Sequence, residues 1–144
     1  MQISDILHHK GTEIVGILPS ESLAAAARKL AQHRIGALVV RDRLGRLVGM
    51  ISERDVVTAL SQHGAAALAQ TVNDVMTPDV VTCKPGDAVR DIMALITVRR
   101  IRHVPVCDGD RLVGLVSIGD VLKSRLDEKE LELNMLRDLS LARV

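Results

Sequence analysis

The 144-residue sequence contains no phenylalanine, tyrosine or tryptophan. Any core must therefore be built from Val, Leu, Ile, Ala and Met. The aromatic platforms on which single-stranded nucleic acids stack are excluded, and a base held by this chain is gripped by aliphatic side chains and backbone. Cysteine is nearly absent, with only Cys83 and Cys107. Two cysteines make no disulfide framework, so a reducing, cytoplasmic setting is expected, with both thiols packed as small core hydrophobes. Neither sign of charge dominates: 19 Lys and Arg stand against 18 Asp and Glu, for a net charge of +1. Nothing in that balance attracts nucleic acid or an anionic membrane. No apolar run reaches the length of about 18 residues that spans a bilayer. Residues 1–10 lack a basic stretch followed by an apolar one, so no membrane segment or leader is expected. What is present is 47% hydrophobic residues. That excludes wholesale disorder, in a length that suits one domain or two very small ones without help from metal or disulfide.

The chain repeats itself. Ile14-Val15-Gly16-Ile17-Leu18-Pro19 is answered 66 residues later by Val80-Val81-Thr82-Cys83-Lys84-Pro85. Leu23, Ala26, Ala27 and Leu30 correspond to Val89, Ile92, Met93 and Ile96. Both sets have the i, i+3, i+4, i+7 spacing of an amphipathic helix. Arg46-Leu47-Val48-Gly49-Met50-Ile51-Ser52 pairs with Arg111-Leu112-Val113-Gly114-Leu115-Val116-Ser117, and Asp55-Val56 with Asp120-Val121. Upstream, Ile3-Ser4-Asp5-Ile6-Leu7 matches Val72-Asn73-Asp74-Val75-Met76, with extra residues in the first copy near positions 8–13. Apolar matches are cheap, whereas Pro, Gly, Ser and Asp recurring in order are not.

Each copy reads as strand, helix, strand, turn, strand, helix. The expected strands are 14–18, 37–40 and 47–51, then 80–83, 104–107 and 112–116. The expected helices are 21–32 and 87–98, with a second helix starting at Ser52 and at Ser117. The first copy is placed at 3–61, an Ala-rich connector at 62–71, and the second copy at 72–126. A charged helical extension follows at 127–144, where Lys129 interrupts a loose leucine stripe so that a coiled coil is not specified.

Two such β-α-β-β-α units, each closing on Gly, apolar residues, Ser, two variable residues and Asp, resemble a tandem of cystathionine-β-synthase (CBS) domains, a Bateman module. Arg102-His103-Val104-Pro105-Val106 and Met76-Thr77-Pro78 also fit that family. The corresponding Gly36-Ala37-Leu38-Val39-Val40 and Leu7-His8-His9 of the first copy depart from it. The resemblance implies an α+β fold of two repeats packed as a pseudo-twofold pair, sheet against sheet, with a C-terminal helix outside it. It further implies clefts for adenosine-containing ligands such as AMP, ATP, NAD or S-adenosylmethionine, a regulatory rather than catalytic role, and a homodimer.

On that resemblance Asp55 and Asp120 are candidates to accept the two hydroxyls of a ribose. Such charge-assisted hydrogen bonds are worth roughly 1.5–3 kcal/mol each. Ser-x-x-Asp is also a capping box at a helix start, and the two roles are compatible. Ser52 and Ser117 would cap helices whose exposed amides suit a phosphate. Arg99-Arg100-Ile101-Arg102-His103 is the sharpest local charge. Arg100, Arg102 and His103 are candidate phosphate contacts, although cations also favour a helix C-terminus with no ligand present. Arg34 and Arg54 are lesser candidates. Ile17, Ala37, Val81 and Pro105 could form an apolar slot for adenine, or be plain core. The five histidines show no metal-ligand spacing, and no nucleophile elbow, Walker loop or Gly-x-Gly-x-x-Gly occurs. No metal and no catalysis are expected. The rival reading is a ligand-independent dimeric scaffold working through the C-terminal helix. Nucleic-acid binding through residues 99–103 is disfavoured by the missing aromatics.

Overall fold

The computed structural model describes residues 1–142, so the last two residues of the extension expected at 127–144 lie outside the described residues. In the first half, β1 (Gly16–Ile17) runs parallel to β2 (Ala37–Arg41), which pairs antiparallel with β3 (Leu47–Ser52). In the second half, β4 (His103–Asp108) and β5 (Arg111–Ser117) form the matching hairpin. Between strands run α2 (Leu23–His33) and α5 (Val89–Arg99), and after the hairpins come α3 (Glu53–His63) and α6 (Ile118–Ala142). The strand expected at 80–83 does not form. Pro78 and Pro85 bracket it, the Val80 N–H turns back to the Pro78 carbonyl, and only Cys83 reaches the sheet, through a bridge to Val106.

The alternation of a strand explains how the halves meet. All of Ala37, Leu38, Val39 and Val40 are buried. Leu38 and Val40 face the helices of their own half, among Leu23, Ala26, Leu30 and Ile51. Ala37 and Val39 face the other way, in a cluster with Met50 and with Leu112 of the second half. This is a fold of two sheets packed on each other around aliphatic side chains, each backed by helices. In each hairpin one residue, Val48 or Val113, has no partner across the register shift. That bulge turns Leu47 and Met50, and likewise Leu112 and Leu115, toward the same inter-sheet cluster.

The short helices that open the two copies are exchanged. In α1 (Ile3–Lys10), Ile3, Ile6 and Leu7 are buried among Val89, Ile92, Ile96, Val104 and Val116 of the second half. The Ile3 and Ser4 amides donate to the carbonyls of Asp87 and Pro85. Conversely α4 (Val72–Val75), reached through the 3₁₀ helix Gly64–Ala69, puts Val72 into the core of the first half. The Val72 amide donates to the Glu21 carbonyl there.

The exchange accounts for the repeated hairpin glycine. A Cβ on Gly49 would lie 2.7 Å from both the Met76 sulfur and the Thr77 carbonyl oxygen, and Thr77 is itself fixed by two hydrogen bonds to Met50. A Cβ on Gly114 would lie 2.7 Å from a Leu7 methyl. Backbone cannot step aside as a leucine side chain can. Gly49→Ala is expected to destabilise by about 1–3 kcal/mol and Gly114→Ala by less, as read by urea denaturation. Equal losses would contradict the backbone contact.

Candidate ligand-binding cleft

Where the two halves meet, between the start of α3 and the loop entering β4, lies a cavity of about 610 Å³. Its position follows from three local features. The first is the N-terminus of α3, where Ser52 and Asp55 cap reciprocally. The Ser52 N–H and hydroxyl donate to Asp55 Oδ2 at 2.8 and 3.0 Å, and the Asp55 N–H donates to Ser52 Oγ at 3.2 Å. Asp55 Oδ1 accepts no hydrogen bond from the described residues. The capping box is therefore real, and it leaves one carboxylate oxygen over for a ligand.

The second feature is the exit from α5. Arg100 adopts the left-handed conformation at φ 54, a position that favours glycine. The turn it makes brings Arg100, Ile101, Arg102 and His103 to the cavity wall. Arg54, from α3, lines the same wall. Among the described residues none of these three arginines makes an ion pair. The third feature is the segment from Thr77 to Val81, which supplies Thr77, Asp79, Val80 and Val81 and completes an apolar side with Ala37 and Met50.

Eight of the residues singled out in the sequence thus line one cavity: Asp55, Ser52, Arg54, Arg100, Arg102, His103, Ala37 and Val81. The other five lie elsewhere, Arg34 at the left-handed C-cap of α2. Ile17 and Pro105 are buried. Ser117 caps α6, its Oγ accepting the Asp120 N–H at 3.2 Å and its own N–H donating to Asp120 Oδ2 at 2.8 Å. Asp120 lines a different cavity, between α1 and α6, together with Asp5, Lys10 and Lys123. Glu53, Thr77 and Asp79 were missed. Thr77 stood in a noted motif, whereas nothing in the spacing of Asp79 marks it.

His103 sits where the halves face each other, its Cε1 3.7 Å from the place a Cβ on Gly36 would occupy. Burial lowers its pKa below the ordinary 6.5, as do Lys10 and Arg102, against an opposing pull from Asp120 and Glu53. The neutral form is favoured in the folded chain, so the unfolded chain takes up this proton first as pH falls. The stability His103 contributes is complete above 6.5 and is lost as pH falls through the lowered folded value. His103→Gln is expected to flatten the fall in unfolding free energy between neutral and mildly acidic pH. An unchanged slope would assign that fall to other groups. Asp120 is shifted too. Burial raises its pKa, but Lys10 and the Ser117 amide outweigh burial and hold it below the ordinary carboxylate range. Cys83 is pushed up to about 12, by burial first and then by Asp87 and Cys107, so it is an inert thiol at neutral pH. Among the described residues no group of three or more His, Cys, Asp or Glu is placed to hold a metal, and no helix is long and apolar enough to cross a membrane.

Comparison with known proteins agrees with the repeat. A CBS domain family description matches residues 3–62 and 72–127. A crystallised CBS-domain protein of Agrobacterium tumefaciens is 42% identical, covering 87% of this chain and 99% of its own, with a TM-score of 0.84. The CBS domain pair of protein MJ0100, solved with 5-methylthioadenosine and S-adenosyl-L-methionine, is 30% identical over 90% of this chain and 98% of its own, with a TM-score of 0.77. CBSX2, solved with AMP, is 25% identical over 89% of this chain and 98% of its own, with a TM-score of 0.74.

Proposed function

The chain belongs to the CBS domain family, and from that premise we propose that it is a regulatory module that binds an adenosine phosphate in the cavity beside Asp55. The observation that carries this is the set of three arginines, Arg54, Arg100 and Arg102, lining one cavity without ion pairs of their own among the described residues. Guanidinium groups free to fork onto a phosphate are what an anionic ligand requires. The α3 N-terminus adds its positive dipole end. Asp55 Oδ1 accepts from the ribose hydroxyls. Val80, Val81, Ile101, Ala37 and Met50 enclose the base without any aromatic ring. The complexes of MJ0100 and CBSX2 with adenosine compounds support the ligand class.

In this reading the ligand ties the Arg100–His103 turn of one half to α3 of the other. Its binding biases the relative setting of the halves, and with it contacts to a second copy of the chain. No catalytic step is assigned. The missing aromatics make the test simple, because the protein itself absorbs little near-ultraviolet light. Protein purified, denatured and filtered should release an adenosine phosphate identifiable by mass spectrometry, and stripped protein should bind it again. Protein that releases no nucleotide and binds none on titration contradicts the proposal.

One observation favours a second reading. Leu131, Leu133, Met135, Leu136, Leu139 and Leu141, on the part of α6 beyond the core, are all exposed. A scaffold working through that helix would dimerise or capture its partner identically with and without nucleotide.

A further inference from the structure

The two halves are built alike but are not alike at the two aspartates. Asp55 and Asp120 occupy the same place in their copies, each reciprocally capped with its serine. Among the described residues only Asp120 of the two is met by a cation: Lys10 Nζ lies 2.6 Å from Asp120 Oδ2. That lysine is the last residue of α1, which runs for eight residues, whereas its counterpart α4 stops after four. The extra residues of the first copy thus carry an ammonium group across to the acid of the second. Nothing in the α4 segment does the same for Asp55.

The rest of the surroundings differ in the same direction. The counterpart of Arg54 in the second copy is Gly119, and the counterparts of Arg100 and Arg102 are Arg34 and Gly36. The cavity at Asp55 is lined by three arginines for a phosphate, and the cavity at Asp120 by none, its cations being Lys10 and Lys123 beside Asp5 and Asp127. An ammonium-to-carboxylate hydrogen bond is stronger than the bond a neutral sugar hydroxyl would put in its place. Lys10 shares Asp120 Oδ2 with the Ser117 amide, so a ribose reaching Asp120 would meet a carboxylate whose charge is already paired, in a cavity without an arginine for its phosphate.

We infer that Lys10 closes the second half-site to a sugar diol, so that the chain holds one nucleotide, at Asp55, where its duplicated fold offers two places. Lys10 acts here as a built-in occupant of the site. This rests on the reading that the Asp55 cavity takes an adenosine phosphate.

Calorimetric titration of the full chain with adenosine 5′-monophosphate tests it. The wild-type chain should bind one equivalent, weakened tenfold or more in Asp55→Asn and unchanged in Asp120→Asn. Lys10→Met keeps the aliphatic stem and removes the charge, and should add a second, weaker equivalent. In the Asp55→Asn background Lys10→Met should still add an equivalent, which Asp120→Asn then removes. Lys10→Arg should keep the count at one, and thermal melts of each variant confirm that it is folded. Two equivalents in the wild type, or no second equivalent in Lys10→Met, overturns the inference while leaving the ligand class standing. No binding by any variant overturns the ligand reading itself.

Discussion

Asp55→Asn is expected to weaken binding of adenosine 5′-monophosphate tenfold or more, about 1.4 kcal/mol, with little change in melting temperature. The substitution separates two roles that share one side chain. Asp55 Oδ2 caps α3 by accepting the Ser52 N–H and hydroxyl, and the amide oxygen of asparagine can take over that task. At the third position of a capping box an amide side chain can serve in place of an acid. What asparagine cannot supply is a charged acceptor for a hydroxyl, and hydrogen bonds to charged groups are worth roughly 1.5–3 kcal/mol against about 1 kcal/mol for neutral ones. Asp55→Ala removes both roles, so it should lose the hydrogen bonds to Ser52, about 1 kcal/mol of stability, as well as affinity. Calorimetry paired with thermal melts distinguishes the outcomes. Undiminished affinity in Asp55→Asn would remove Asp55 from the site.

The largest effect on stability is expected near the start of the chain, where short terminal segments are commonly frayed. Ile3 is completely buried, and the cluster it belongs to is otherwise made of second-half residues and its neighbours on α1. Ile3→Ala should destabilise by about 2–5 kcal/mol, the range for truncating a buried aliphatic side chain whose site cannot collapse. Collapse is hindered here because Ile3 is fixed on both sides, by its own amide to the Asp87 carbonyl and by the Met1 carbonyl to the Val89 amide. The loss should appear first as reduced hydrogen-exchange protection in β4 and β5 rather than in β2 and β3, as urea denaturation followed by exchange would show. A cost below about 1 kcal/mol, the level of ordinary surface changes, would mean that α1 does not complete the second core.

How far the sequence could be read depends on how local each cause is. The repeat was visible because its markers answer to local demands: Gly49 and Gly114 have no room for a Cβ, and Ser52 with Asp55, like Ser117 with Asp120, closes a capping box within four residues. The hairpins and helices came close to their expected bounds for the same reason. The exchange of α1 and α4 was not visible, because Ile3-Ser4-Asp5-Ile6-Leu7 has the same pattern whichever core receives it. The bulges at Val48 and Val113 were also hidden, since an unpaired valine looks like any strand residue. At the site, the basic cluster was read from its chemistry, and the first aspartate as a sugar contact only from the family resemblance. The convergence of Asp79 and Thr77 on the same cavity is a product of chain path alone. The extra residues of the first copy were seen as an insertion, but their destination at Asp120 is a long-range contact that no spacing encodes.

If the Asp55 carboxylate at the start of α3 holds the sugar of an adenosine phosphate between the two halves, removing one sugar hydroxyl must cost affinity. Titrating the wild-type chain and Asp55→Asn with adenosine 5′-monophosphate and with its 2′-deoxy counterpart reads this out. The deoxy compound should bind the wild-type chain about tenfold more weakly, and Asp55→Asn should no longer tell the two apart. Equal affinity of the wild-type chain for both compounds, or a preference that survives in Asp55→Asn, would contradict it.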